Sequence, residues 1–161
     1  MSYLELFSTG TPAAAFTGAR RLISGRNPAW VLAPRLSAIP YLNPDELLVC
    51  APSVKEAYWA TEQALRSGAI DVVILVLDRP YDLTQSRRLK LATEIKGVQL
   101  IVILPGSVQS FNSAAQERWH LVSKVSDQPH RSLSLWDQLK NKKGSLSQME
   151  VSDYPRHVSV A

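Results

Sequence analysis

The apolar positions of this chain change period along its length, and each change marks an element. Ser53 followed three residues later by Glu56 is a capping box, which satisfies two orphan backbone N–H groups and predicts a helix start. Ala57, Tyr58, Ala60, Thr61, Ala64 and Leu65 then recur at helical spacing, and Gly68 stands where a left-handed cap would close the run. Next comes a nearly unbroken apolar stretch from Ile70 to Leu77, rich in Val and Ile. It has no polar alternation, so it predicts a strand covered on both faces, as in a parallel sheet. Helix and buried strand form one βαβ crossover, the anchor for an α/β fold.

The same reasoning extends to both sides. Ala13 to Ser24 predicts a helix stopped by Gly25, and Ala29 to Ala33 a strand ended by Pro34. Residues 35–45 have room for a short helical turn, Asn43-Pro44-Asp45 is a turn signal, and Leu47 to Ala51 reads as a second short buried strand. Asp82 and Gln85 repeat the capping pattern for a helix to about Lys96, with Leu83, Leu89, Ala92 and Ile95 inward and Gly97 closing it. Val98 to Leu104 is the next strand, and 106–117 read as loop. Imperfect alternation over 118–125 and 132–139, then Asn141-Lys142-Lys143-Gly144 and a strand near 147–151, predicts an antiparallel hairpin on one sheet edge. Residues 1–11 read as a flexible arm, 12–151 as a single α/β domain and 152–161 as a loose tail.

Composition narrows the class. With 161 residues, 45% hydrophobic and 20% charged, the chain is of ordinary globular make-up. Cys50 is the sole cysteine and has no intramolecular partner. No apolar run reaches the roughly 18–20 residues of a membrane span, and no signal peptide is visible, so a cytoplasmic protein is expected. The net charge of +4 is uneven: residues 1–78 hold 6 basic and 7 acidic side chains, 79–161 hold 12 and 7. Arg87, Arg88 and Lys90, and Lys140, Lys142 and Lys143, form either a solvated face or a surface for nucleic acid or an acidic protein.

Catalytic apparatus is not visible. A P-loop needs Gly-x-x-x-x-Gly-Lys-Ser/Thr so that backbone N–H groups can cradle phosphate, and the seven glycines form neither that run nor a dinucleotide fingerprint. Asp78 therefore reads as a loop residue. His120, His130 and His157 lack partners at metal-ligand spacing, and Cys50 reads as a small hydrophobe in a buried strand. The four tryptophans read as core or hairpin packing. No cofactor and no metal are expected.

Glu46-Leu47-Leu48-Val49-Cys50, Glu56-Ala57 and Ala64-Leu65-Arg66-Ser67-Gly68-Ala69-Ile70-Asp71-Val72-Val73-Ile74 resemble the second half of a RecA-type recombinase core. The stretch is more similar still to the SulA/ImuA group, bacterial SOS proteins that are RecA-related and have lost the ATPase. The likeness spans about residues 27–105. Where the RecA pattern has an acidic residue on the strand this chain has Val76, with Asp78 two residues late. The resemblance implies a RecA-like, mostly parallel sheet flanked by helices. It also implies a non-enzymatic function: a SulA-type inhibitor of septation that binds FtsZ, or alternatively an ImuA-type accessory of translesion synthesis acting with RecA and an error-prone polymerase. Matching the SulA partner surface onto Trp30 to Leu36 nominates Arg26, Trp30, Leu32, Arg35 and Leu36 as partner-binding residues, and residues 152–161 as a tail read by a cytosolic protease.

Overall fold

Both predicted N-caps set helix boundaries in the structure, a computed structural model that describes residues 3–9, 13–34, 42–108, 111–124, 133–142 and 144–152. Ser53 caps α2 (Val54–Ser67): its Oγ accepts the Glu56 N–H at 3.1 Å and donates to the Glu56 carboxylate at 2.9 Å. Gly68 closes the helix at φ 68°, a left-handed conformation that costs other L-residues about 1 kcal/mol. α3 (Leu83–Lys96) starts the same way, the Asp82 carboxylate accepting the Gln85 N–H at 2.6 Å, and Gly97 ends it. α1 (Ala13–Leu22) precedes a turn at Gly25.

The strands are β1 (Tyr3–Thr9), β2 (Pro28–Leu32), β3 (Leu47–Cys50), β4 (Val72–Val76), β5 (Gln99–Pro105), β6 (Glu117–Lys124), β7 (Leu133–Asn141) and β8 (Gln148–Ser152). They form one sheet in the order β3-β2-β4-β5-β1-β6-β7-β8. Every ladder from β3 across to β6 is parallel, and β7 is antiparallel to both its neighbours, so it alone opposes the rest. This is an α/β fold with a mostly parallel sheet, the antiparallel strands lying on one edge. α1 covers one face through Phe16 and Ala19, with Ile23 in the turn that follows, packed with Leu4, Leu6, Trp30 and Ile74. α2 and α3 cover the other through Ala57, Leu65, Leu89 and Ala92. All five residues of β4 are buried, each large side chain contributing roughly 1.5–3 kcal/mol, which fixes it in the sheet interior. Among the described residues no helix is long and apolar enough to cross a membrane.

Three expectations fail. Residues 3–9 are not an arm: β1 is the strand between β5 and β6, buried from Tyr3 to Ser8. Glu5 disguised it, since a carboxylate in an apolar run reads as a wet position, yet this one is fully buried with its hydrogen bonds supplied. β3 is not covered on both sides. It is the sheet edge, with Leu47 and Leu48 half-exposed and Cys50 exposed, because the sheet order gives it β2 on one side only. Ile95 does not face inward: α3 buries Ser86, Leu89, Ala92 and Thr93, leaving Ile95 50% exposed. The segment expected to hold a helical turn lies largely outside the described residues, although Glu46 N–H does donate to Asn43 O at 3.0 Å, closing the turn at Asn43-Pro44-Asp45. Of the proposed tail, only Ser152, the last residue of β8, is described.

Candidate functional site

In parallel α/β sheets ligands bind beyond the C-terminal ends of the strands, and the central β1 leads into α1 there. Only residues 10–12 join Thr9 to Ala13, and the helix opens Ala13-Ala14-Ala15, so the junction has neither the glycine run nor the lysine of a phosphate cradle. Gly106 abuts this end of β1 so closely that a Cβ would lie 2.9 Å from the Ser8 carbonyl oxygen. His120 on β6 bonds the Thr9 hydroxyl through Nε2. At the end of β4, Asp78 pairs with Arg79 at 3.1 Å, and Val76 occupies the strand position where the RecA pattern has its acid.

Beneath these tips lies a buried polar cluster that the sequence did not announce. Glu5 Oε1 accepts the Tyr81 and Ser113 hydroxyls, and Oε2 accepts Arg118 Nε at 2.6 Å. Each hydroxyl has one proton, so with Tyr81 and Ser113 committed to Glu5, the Ser86 hydroxyl, 3.1 Å from Ser113 Oγ and 3.0 Å from the Tyr3 hydroxyl, shares its one proton between those two neighbours. Ser86 Oγ accepts the Ala114 N–H at 2.7 Å, and Ser113 Oγ the Ala115 N–H at 3.0 Å. Arg118 lies between the Phe7 and Phe111 rings, 4.8 and 4.6 Å from their centroids, and its Nη1 donates to Phe111 O. Burial, reinforced by Glu5, raises the pKa of Tyr3, and burial with the Tyr3 and Glu5 neighbours raises that of Tyr81, so both stay protonated donors. The cluster joins β1, the β4–α3 loop, the segment before β6 and β6 itself. With its acceptors occupied, it holds the strand tips in register and presents no open acid or base.

The nominated partner residues divide. Arg26 is exposed, donating to Leu22 O at 2.5 Å and to Gln99. Trp30 and Leu32 are corrected: at 0% and 2% exposure they sit in the core beneath α1 and have no surface to present. Alternation decides this, since the even residues of β2 point to the α1 face. Arg35 and Leu36 lie outside the described residues. Trp30 instead donates through Nε1 to Glu46 at 3.0 Å, where Arg20 grips the same carboxylate at 2.5 and 2.8 Å. The Arg20 hydrogen bonds hold the Glu46 carboxyl below its usual pKa. Around Arg26 is an open cleft of about 560 Å³ at the N-terminal ends of β2, β3 and β4, lined by Gly25–Pro28, Asn43–Glu46 and Asp71. Among the described residues no group of three or more His, Cys, Asp or Glu could hold a metal ion.

The fold and the β1–α1 junction define a class, a mostly parallel α/β sheet flanked by helices, without the sequence elements of a P-loop. Within that class the fold is SulA-like: the crystal structure of SulA from Pseudomonas aeruginosa matches with a TM-score of 0.52, covering 64% of this chain and 98% of that one at 19% identity. No protein-family model matches the sequence, and no curated protein matches it.

Proposed function

We propose that this chain is a SulA-type inhibitor of cell division, made in response to DNA damage, which binds FtsZ and blocks its polymerisation without hydrolysing nucleotide. The observation that carries the reading is the SulA-like fold over nearly the whole of the solved SulA chain, together with a β1–α1 junction that lacks glycine run and lysine. A protein of this kind acts by occupying a surface, and a few residues supply most of the energy of such contacts. In this reading Arg26, Arg35 and Leu36 make the contact, while Trp30 and Leu32 anchor β2 in the core. The inhibitor acts in the cytoplasm, and its C-terminal residues 152–161 serve a protease that ends the inhibition. The test mixes purified protein with FtsZ and GTP and measures sedimentable polymer and phosphate release. Loss of both at equimolar ratio is expected; unchanged polymer rejects the reading.

The cations of α3 favour a second reading, an ImuA-type accessory to translesion synthesis. Salt-sensitive binding to DNA, with no effect on FtsZ polymer, would replace the first reading with this one.

A further inference from the structure

α3 has apolar residues on two sides. Leu89 and Ala92 pack on the sheet, whereas Leu91 and Ile95, one turn apart, are 60% and 50% exposed. Beside it α2 turns Trp59 outward, 64% exposed and two residues from the buried Thr61. Isolated exposed apolar residues are ordinary; these three stand on two adjacent helices of one layer. The Glu62–Arg88 ion pair, at 2.8 Å, joins the helices, and Glu62 also holds Arg66 at 2.9 Å. Arg87 is on the exposed ridge one turn before Leu91 and has no acidic partner among the described residues. The carboxylates here are committed: Glu62 to two arginines, Glu56 to Ser53 and Glu94 to Lys90.

We infer that the outer face of α2 and α3 is a docking surface for an acidic amphipathic helix of a partner protein. α2 and α3 pack side by side, joined by the Glu62–Arg88 pair, and the seam of two adjacent helices suits a helix presenting apolar residues at three- and four-residue spacing. Trp59 on α2 and Leu91 and Ile95 on α3 would receive its apolar stripe, with Arg87 facing its carboxylates and Arg66 and Arg88, paired with Glu62, beside it. Trp and Arg are the residue types that most often dominate interface energies. Charge alone would equally suit nucleic acid, but aliphatic Leu91 and Ile95 gain nothing from phosphate or sugar, so the protein partner is favoured. The proposal does not depend on FtsZ being a partner.

The test uses the full chain and a labelled acidic peptide of about 18 residues, long enough for five helical turns, with leucines on one face and glutamates elsewhere. A scrambled peptide of the same composition and a single-stranded oligonucleotide serve as competitors, and fluorescence anisotropy reads binding. Micromolar affinity is expected, weakened about tenfold or more by Trp59→Ala and by Leu91→Asp. Arg87→Glu should weaken binding and flatten its salt dependence. All three sites are exposed, and unchanged circular dichroism and thermal midpoints identify the variants as folded. No binding, equal binding of the scrambled peptide, wild-type affinity in the Trp59 and Leu91 variants, or displacement by the oligonucleotide each overturns the proposal, the last by giving the face to nucleic acid.

Discussion

Replacing Glu5 by Leu should destabilise the protein far more than replacing Glu5 and Arg118 together. The carboxylate is fully buried and the Arg118 side chain is 10% exposed, with Nε 2.6 Å from Oε2. With charge centres roughly 4 Å apart, attraction at an effective dielectric of 20 is about 4 kcal/mol, a gain that desolvating both ions largely offsets. Removing one partner leaves the other charge buried without compensation, at about 3–5 kcal/mol. For a chain of this size that is a fall in Tm of about 6–20 °C. Glu5→Leu and Arg118→Met should each cost this much. The double variant keeps volume and has no orphan charge, and loses mainly the acceptor for the Tyr81 and Ser113 hydroxyls, about 1–3 kcal/mol. Urea unfolding of the four proteins closes the cycle, with an expected coupling of about 6 kcal/mol and not less than about 3. Additive costs, or a Glu5→Leu cost below about 1 kcal/mol, would refute the claim that the two side chains depend on each other.

Other predictions test single contacts. Gly18→Ala would place a Cβ 2.6 Å from Trp136 Cζ2, so α1 must lift from β7; we expect a loss of about 1–3 kcal/mol in denaturant unfolding, and Trp136→Phe should relieve part of it. Ser53→Ala removes the acceptor for the Glu56 N–H and should cost about 1 kcal/mol, with Ser53→Asp restoring most of it by the same assay. The folded-state pKa of Glu46 is depressed below 4.5, so its stabilisation is complete above that value and lost as pH falls through the folded pKa. Denaturant midpoints measured against pH should show this acid loss in the parent and a shallower one in Glu46→Gln; parallel curves would contradict it.

The sequence by itself determined the local signals: both helix N-caps, the glycine stops, the buried β4 and β5 runs, the hairpin and the α/β class with its mostly parallel sheet. Those depend on contacts within a few residues, or on apolar runs long enough to demand cover. Tertiary structure alone decided which strands lie in the middle. Leu47–Cys50 and Ala29–Leu32 look alike as apolar runs, yet one is an exposed edge and the other buried, because sheet order, not composition, supplies the cover. The same holds for the nominated contact residues, where strand alternation sent Trp30 and Leu32 into the core. Glu5 shows the limit most clearly: its partners Tyr81, Ser113 and Arg118 stand 76, 108 and 113 residues away. A carboxylate can be buried only where such donors converge, and no local pattern of residues records that convergence.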